Sequence, residues 1–204
     1  MKPSSLSLRA TGPLAPLVGI LIGALGGALY WLASQLWPAS VAVVLAMAAT
    51  AIATTAFPAI TATRFDVLAG MLLLLVKFNA LLALSAAKLP FAAPAYFPLA
   101  LIMICGYAAS YALLVFVMAA RANSSAPKIA HLALILALAL GFAPATLLGI
   151  PGLVGLATAV IIGLSIMALL KYRRISTSGD VLELTQLTTE AAFYLGTLAS
   201  WRFV

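Results

Sequence analysis

The sequence predicts an all-α fold: a polytopic membrane helix bundle of about seven transmembrane helices, with the N-terminus in the cytoplasm. Three observations carry this reading. Hydrophobic residues make up 65% of the 204 positions and charged residues only 7%, which leaves too little polar surface to coat a water-soluble globule. Charge-free runs extend from Ala10 to Thr63 and from Leu89 to Ala120, each long enough for one or more spans of about 20 residues through roughly 30 Å of hydrocarbon. Those runs are continuous, whereas the strands of a membrane barrel would alternate polar and apolar side chains.

Proline, glycine and charge punctuate the apolar sequence into spans near 14–36, 40–62, 66–87, 98–120, 129–148, 152–170 and 181–200. The first follows a start with two basic residues but without a convincing small-residue cleavage site, so it reads as a retained helix, not a signal peptide. Gly19, Gly23 and Gly27 give it a small-residue ridge, which admits a close neighbouring helix and leaves self-association open. The second span carries Pro58 near one end, and the third opens at Asp66 and holds Lys77 in its middle. Pro94 and Pro98 separate the short stretch "FAAPAYF" from the fourth, which contains Cys105. A single cysteine forms no internal disulfide or CxxC pair and reads as a small core residue. The fifth span follows "RANSSAPK" and carries Pro144 near its end; the sixth follows the tight turn "LGIPG". The seventh follows "KYRRISTSGD" and contains Asp180, Glu183 and Glu190, three of the four acids in the chain. Residues 1–204 thus form a single integral membrane domain, with no soluble domain left over.

Seven crossings put Lys2, Arg9, Arg64, Arg121, Lys128, Lys171, Arg173 and Arg174 on one side, against Lys88 and Arg202 on the other. The positive-inside rule makes the first side cytoplasmic. The expected location is the cell membrane, an inner membrane, crossed many times and with the functional face in the cytoplasm. The net charge of +7 does not imply nucleic acid, because the basic residues are scattered among apolar spans and form no continuous basic, aromatic-interleaved surface.

The acids of the last span define a face. At 100° per residue from Asp180, Glu183 falls at about −60°, Glu190 at about −80°, Thr197 at about −100° and Gln186 at about −120°. Such a polar stripe must meet protein or water, not lipid. Asp180, after Ser178 and Gly179, has two readings: an N-cap that complements the positive end of the helix, or, with Glu183, a ligand for a hard cation such as Mg2+. Lys77 lies eleven residues past Asp66, and Glu190 ten past Asp180, so both sit about 15 Å deep at 1.5 Å per residue. An ammonium at mid-membrane costs about 2.5–3.5 kcal/mol on insertion scales, so an intramembrane Lys77–Glu190 pair is one expectation. The alternatives are that each points separately into a polar cavity, or that Lys77 binds a substrate group. Arg64, Arg121, Arg173 and Arg174 read either as a grip on a nucleotide diphosphate or as ordinary anchoring charge. His131 is isolated and reads as a boundary hydrogen-bonding residue. No Walker-type loop, GxSxG or zinc spacing is present.

The segments "PLVGILIGALGGALYWL" (16–32), "LLLLVKFNALLAL" (72–84) and "RRISTSGDVLELTQLTTEAAFYLGTLA" (173–199) together resemble the cobalamin synthase family, the adenosylcobinamide-GDP ribazoletransferases. Ser178, Gly179 and Asp180 resemble the family's TGD-like element, with Glu190 ten residues on, and Lys77–Phe78 its Lys-Phe pair. The resemblance implies an Mg2+-dependent transfer in which a hydroxyl of α-ribazole, or of its phosphate, attacks the activated phosphate of adenosylcobinamide-GDP and expels GMP. With the positions read above, the expected catalytic residues are Asp180, Lys77 and Glu190, the expected substrate-binding residues Arg64, Arg121, Arg173, Arg174 and Gly179, and the expected metal ligands Asp66, Asp180 and Glu183. The expected partners are those substrates and membrane lipid, with no nucleic acid, and a homo-oligomer or companion subunit is left open.

One departure stands out. The family's Asp-rich segment, roughly HxDGxADxxDG, is replaced here by "TTAFPAITATRFDVLAG", whose only acid is Asp66. The chain is therefore either a divergent enzyme that uses Asp66, Asp180 and Glu183 instead, or a noncatalytic corrinoid-binding or assembly partner that keeps the fold without the transfer. A small transporter with Lys77 and Glu190 on its path is a third reading, but the sequence shows no repeat with broken helices.

Overall fold

The computed structural model describes residues 14–56, 67–86, 97–121, 128–173 and 179–201, with the backbone alone at several helix ends. Among them are seven helices and no strand. They are α1 (Ala15–Ser34), α2 (Ala39–Ala56), α3 (Val67–Ser85), α4 (Phe97–Arg121), α5 (Lys128–Thr146), α6 (Ile150–Tyr172) and α7 (Gly179–Trp201). Helices α1, Pro98–Ala120 of α4, and α6 are long and apolar enough to cross a membrane by length and composition; α2, α3 and α5 contain shorter apolar stretches.

The turns follow from local chemistry. At the end of α1 the chain tightens, with Leu36 and Trp37 N–H both donating to the Ala33 carbonyl. Pro38, which has no N–H to lose, then offers its carbonyl to Val41 and Ala42 to start α2. Between α5 and α6 the backbone reverses at Gly149, whose φ of 64° is open to glycine at no steric cost. Pro144 lies inside α5, within its last turn, where it breaks little of the helix.

Helix α4 is the hub. It packs against α1, α3, α5, α6 and α7, and 78% of its apolar stretch is buried, against 22% for α6. Its segment "CGYAASYA" is small enough for neighbours to reach the backbone. The α1 ridge packs along α4 from Ala100 to Tyr107: a side chain at Gly19 would meet the Tyr107 carbonyl at 2.6 Å, at Gly23 the Ile104 Cα at 2.6 Å, and at Gly27 the Ala100 Cα at 2.7 Å. Because position 19 faces 107 while 27 faces 100, the two helices are antiparallel. Lipid is as apolar as leucine, so close packing and interhelical polar contacts hold such helices together. The ridge is consumed within one chain, which removes it as a surface for self-association. Cys105, 0% exposed, is a core residue beside it.

A second close seam joins α6 to α7. A side chain at Gly155 would collide with Thr197 Oγ1 and the Phe193 carbonyl. Across the same seam Thr158 Oγ1 donates to the Ala192 carbonyl at 2.9 Å. Outward, α6 presents Leu153, Ile161, Leu164 and Leu169. Large apolar side chains on the outer faces, around an apolar core that also holds a few polar groups, mark a helical membrane bundle.

Candidate functional site

Four polar side chains meet between α3, α4 and α7. Lys77 Nζ on α3 lies 2.8 Å from Glu190 Oε1 on α7. The same ammonium donates to the Tyr107 hydroxyl on α4 at 2.8 Å, and the Tyr194 hydroxyl donates to Glu190 Oε1 at 2.8 Å. Lys77 and Glu190 are 4% and 0% exposed. The carboxylate thus receives two donors on one oxygen, while its buried Oε2 has no hydrogen-bond partner.

Each helix supplies its member for a local reason. Helices α3 and α7 run parallel, and ten and eleven residues of helical rise carry Lys77 and Glu190 to one level. Tyr194 stands four residues after Glu190, on the same face. Its ring lies over Gly106, where an added Cβ would sit 2.5 Å from it; the missing side chain makes room for the ring. Residue 107 follows immediately and turns its phenol toward Lys77. The pair satisfies both charges, and the tyrosines add the hydrogen bonds that a buried ion pair needs to offset its desolvation.

Beside this cluster, between α2, α3, α4 and α7, lies a cavity of about 170 Å³. Lys77, Tyr107 and Glu190 line its deep part; Met47, Leu74 and Leu187 supply apolar wall. Thr50 and Gln186 add polar groups, and Thr54 and Glu183 lie toward the helix ends. Thr50 lies beside Tyr107, and Gln186 beside Tyr111. Glu183 is in the second turn of α7 and Thr54 near the end of α2, so the cavity opens at the end of the bundle where α7 begins and α6 finishes with Lys171 and Arg173.

Of the residues singled out from sequence, the structure unites Lys77, Glu190, Glu183 and Gln186 around this cavity. The separate-pointing alternative for Lys77 and Glu190 gives way to a direct pair. Thr197, on the same calculated stripe, goes elsewhere: it is buried against Gly155 of α6 and donates to the Phe193 carbonyl at 2.8 Å. The stripe divides because α6 closes on α7 two turns beyond Glu190. Arg173 is exposed at the end of α6, outside the cavity wall. Gly179 and Asp180 are the first two residues of α7. Arg121 ends α4. Arg64, Asp66 and Arg174 lie outside the described residues.

Among the described residues no group of three or more His, Cys, Asp or Glu is placed to hold a metal ion. Glu190 is a poor metal ligand, because an ammonium 2.8 Å away already neutralises it. Glu183, at the outer part of the cavity, has the hard oxygen chemistry that suits Mg2+, an ion usually held through one or two carboxylates with water and phosphate completing the shell. Sequence reasoning did not find Tyr107, Tyr194 or Thr50. The i,i+4 spacing of Glu190 and Tyr194 was a signal for one of them; Tyr107 and Thr50 come from other helices and carried none.

The arrangement defines a class of protein: a helical membrane bundle with an ion pair and a small polar cavity buried among its helices. Residues 2–58 match the family model described as cobalamin-5-phosphate synthase. The match spans α1 and α2, includes the first of the three resembling segments, and supports both the cobalamin synthase family resemblance and a role in cobalamin biosynthesis. No curated protein and no solved structure matches the chain.

Proposed function

We propose that this chain acts at the ribazole-transfer step of cobalamin assembly, at the cytoplasmic end of a seven-crossing bundle. In that reaction a hydroxyl of α-ribazole, or of its phosphate, forms a new bond to the phosphorus of activated cobinamide. The bond to GMP breaks, and the hydroxyl proton leaves to a base. The observation that carries the reading is the cavity beside Lys77 and Glu190, which opens at the basic end of the bundle, together with the family match over residues 2–58. At about 170 Å³ the cavity is smaller than the roughly 300–1,000 Å³ of ordinary ligand pockets. A corrinoid therefore stays outside it, and the end of the bundle, with Arg64, Arg121, Arg173, Arg174 and Gly179 near it in sequence, is the proposed place for the diphosphate. Mg2+, held by Glu183 with Asp180 one turn earlier and Asp66 just before α3, would neutralise phosphate charge.

The test is direct. Purified protein in lipid, given adenosylcobinamide-GDP, α-ribazole and Mg2+, is expected to release GMP in step with corrinoid product. Corrinoid binding without GMP release would reject the transfer. It would favour the second reading, a noncatalytic corrinoid-binding partner, to which the replacement of the Asp-rich segment by "TTAFPAITATRFDVLAG" points.

A further inference from the structure

Helix α6 is the least buried of the three helices long enough to cross a membrane. It finishes with Lys171 and Tyr172, followed by Arg173, and all three are exposed, Tyr172 to 83%. The Arg173 N–H still donates to the Leu169 carbonyl at 2.9 Å, so helical geometry continues through these residues. At about 100° per residue from Tyr172, Ile161 falls at about −20°, Ser165 at about 20°, Leu164 at about −80° and Leu169 at about 60°. All four are exposed, and Ser165 meets its own need for a partner by donating to the Ile161 carbonyl at 2.8 Å. Lys171 and Arg173 flank this face at about −100° and 100°, while the opposite side, at about 160°, belongs to Leu170, which is buried. The face is therefore on the outside of the bundle, turned away from its interior. Among the described residues neither Lys171 nor Arg173 has an ion pair. From Ile161 to Tyr172 the helix rises about 16 Å, about half of a hydrocarbon layer of roughly 30 Å.

We infer that this end of α6 is a binding site for an anionic glycerophospholipid, with the headgroup phosphate held by Lys171 and Arg173, the Tyr172 phenol at the level of the glycerol, and an acyl chain laid along Leu169, Ser165, Leu164 and Ile161. Charge complementarity selects the occupant. Two cations without a protein counter-ion, at the edge of an apolar face, attract a negative lipid surface. Their long stems let the heads reach a common plane from opposite flanks, and a phenol suits the membrane–water interface because its body is apolar and its tip polar. A zwitterionic lipid offers the same phosphate but brings its own cation, which cancels the attraction. A soluble diphosphate answers the charge but leaves the apolar face below it uncovered. The site assigns Arg173 to the bilayer and leaves Arg64, Arg121, Arg174 and Gly179 near the proposed diphosphate. It stands whether or not the chain transfers ribazole.

The experiment is native mass spectrometry of the full chain in a neutral detergent, titrated separately with phosphatidylglycerol and with phosphatidylcholine of the same acyl chains. The first phosphatidylglycerol is expected to bind about tenfold more tightly than the first phosphatidylcholine. The Lys171→Gln/Arg173→Gln double variant is expected to lose that preference, and the exchanged variant Lys171→Arg/Arg173→Lys to keep it. Both positions are exposed, so neither variant disturbs the packed interior. Lys2→Gln/Arg9→Gln, which removes the same charge ahead of α1, is expected to keep the preference and separates a local site from net charge. Guanosine diphosphate is expected not to displace the bound phosphatidylglycerol. Four results would each overturn the assignment: no preference in the unmodified chain, loss of the preference in the exchanged variant, equal losses in the two glutamine variants, or displacement by guanosine diphosphate. The last would make Lys171 and Arg173 a grip on a soluble diphosphate instead.

Discussion

Lys77 Nζ and Glu190 Oε1 meet at 2.8 Å across two parallel helices, with the hydroxyls of Tyr107 and Tyr194 closing on the pair from either side. The contact ties α3 and α4 to α7 at the floor of the cavity and leaves one carboxylate oxygen without a hydrogen-bond partner.

That geometry predicts non-additive stability. Glu190→Gln or Lys77→Met alone strands a buried charge, and each is expected to cost about 3–5 kcal/mol. The double variant is expected to recover most of that loss, because it removes both charges. Thermal unfolding of the three variants in lipid checks this; losses that simply sum would mean the two residues do not act as a pair.

The ridge on α1 predicts a contrast between glycines. Gly23→Ala places a Cβ 2.6 Å from the Ile104 Cα, backbone that cannot step aside, so α1 must move off α4. Gly70 on α3 has nothing within 4 Å of the added Cβ, and Gly70→Ala is expected to be neutral or to stabilise by about 0.5–1 kcal/mol through helix propensity. Accumulation in membranes and melting temperature should fall for the first variant and not for the second.

Gly106 predicts an indirect effect on the site. Gly106→Ala pushes against the Tyr194 ring, 2.5 Å from the new Cβ, and should pull its hydroxyl from Glu190. Tyr194→Phe removes the same hydrogen bond without the clash, at about 1.5–3 kcal/mol for a bond to a charged group. If Gly106→Ala acts through this bond, adding it to Tyr194→Phe should cost less than it does alone; equal costs in both backgrounds would place its effect in helix spacing.

For the transfer reading, Glu183 is the informative acid. Glu183→Gln is expected to raise the Mg2+ concentration needed for half-maximal GMP release about tenfold. An unchanged Mg2+ dependence would move the ion away from this residue.

The helical class was legible in composition and in the length of the charge-free runs, because burying an apolar chain of this kind in water is not an option and the backbone must then satisfy itself in helices. The level of Lys77 against Glu190 was legible too, since helical rise is constant and both count from the same end of the bundle. Gly19, Gly23 and Gly27 announced a close neighbour but not which one. That α4 is the neighbour depends on its backbone at Ala100, Ile104 and Tyr107 being presented to α1 at antiparallel register, a matter of packing that no local pattern encodes.

Thr197 and Tyr107 show the remaining boundary. Both lie on sequences whose periodicity is clear, yet Thr197 leaves the polar stripe for the α6 seam and Tyr107 joins a charge cluster thirty residues from its partner Lys77. By itself the sequence determined that this protein is a bundle of apolar helices carrying a few buried polar groups at calculable depths. Only the tertiary structure decided which groups share a cavity, because azimuth around a helix becomes a contact only when a neighbour's backbone comes close enough, and here glycines at 106 and 155 set that distance.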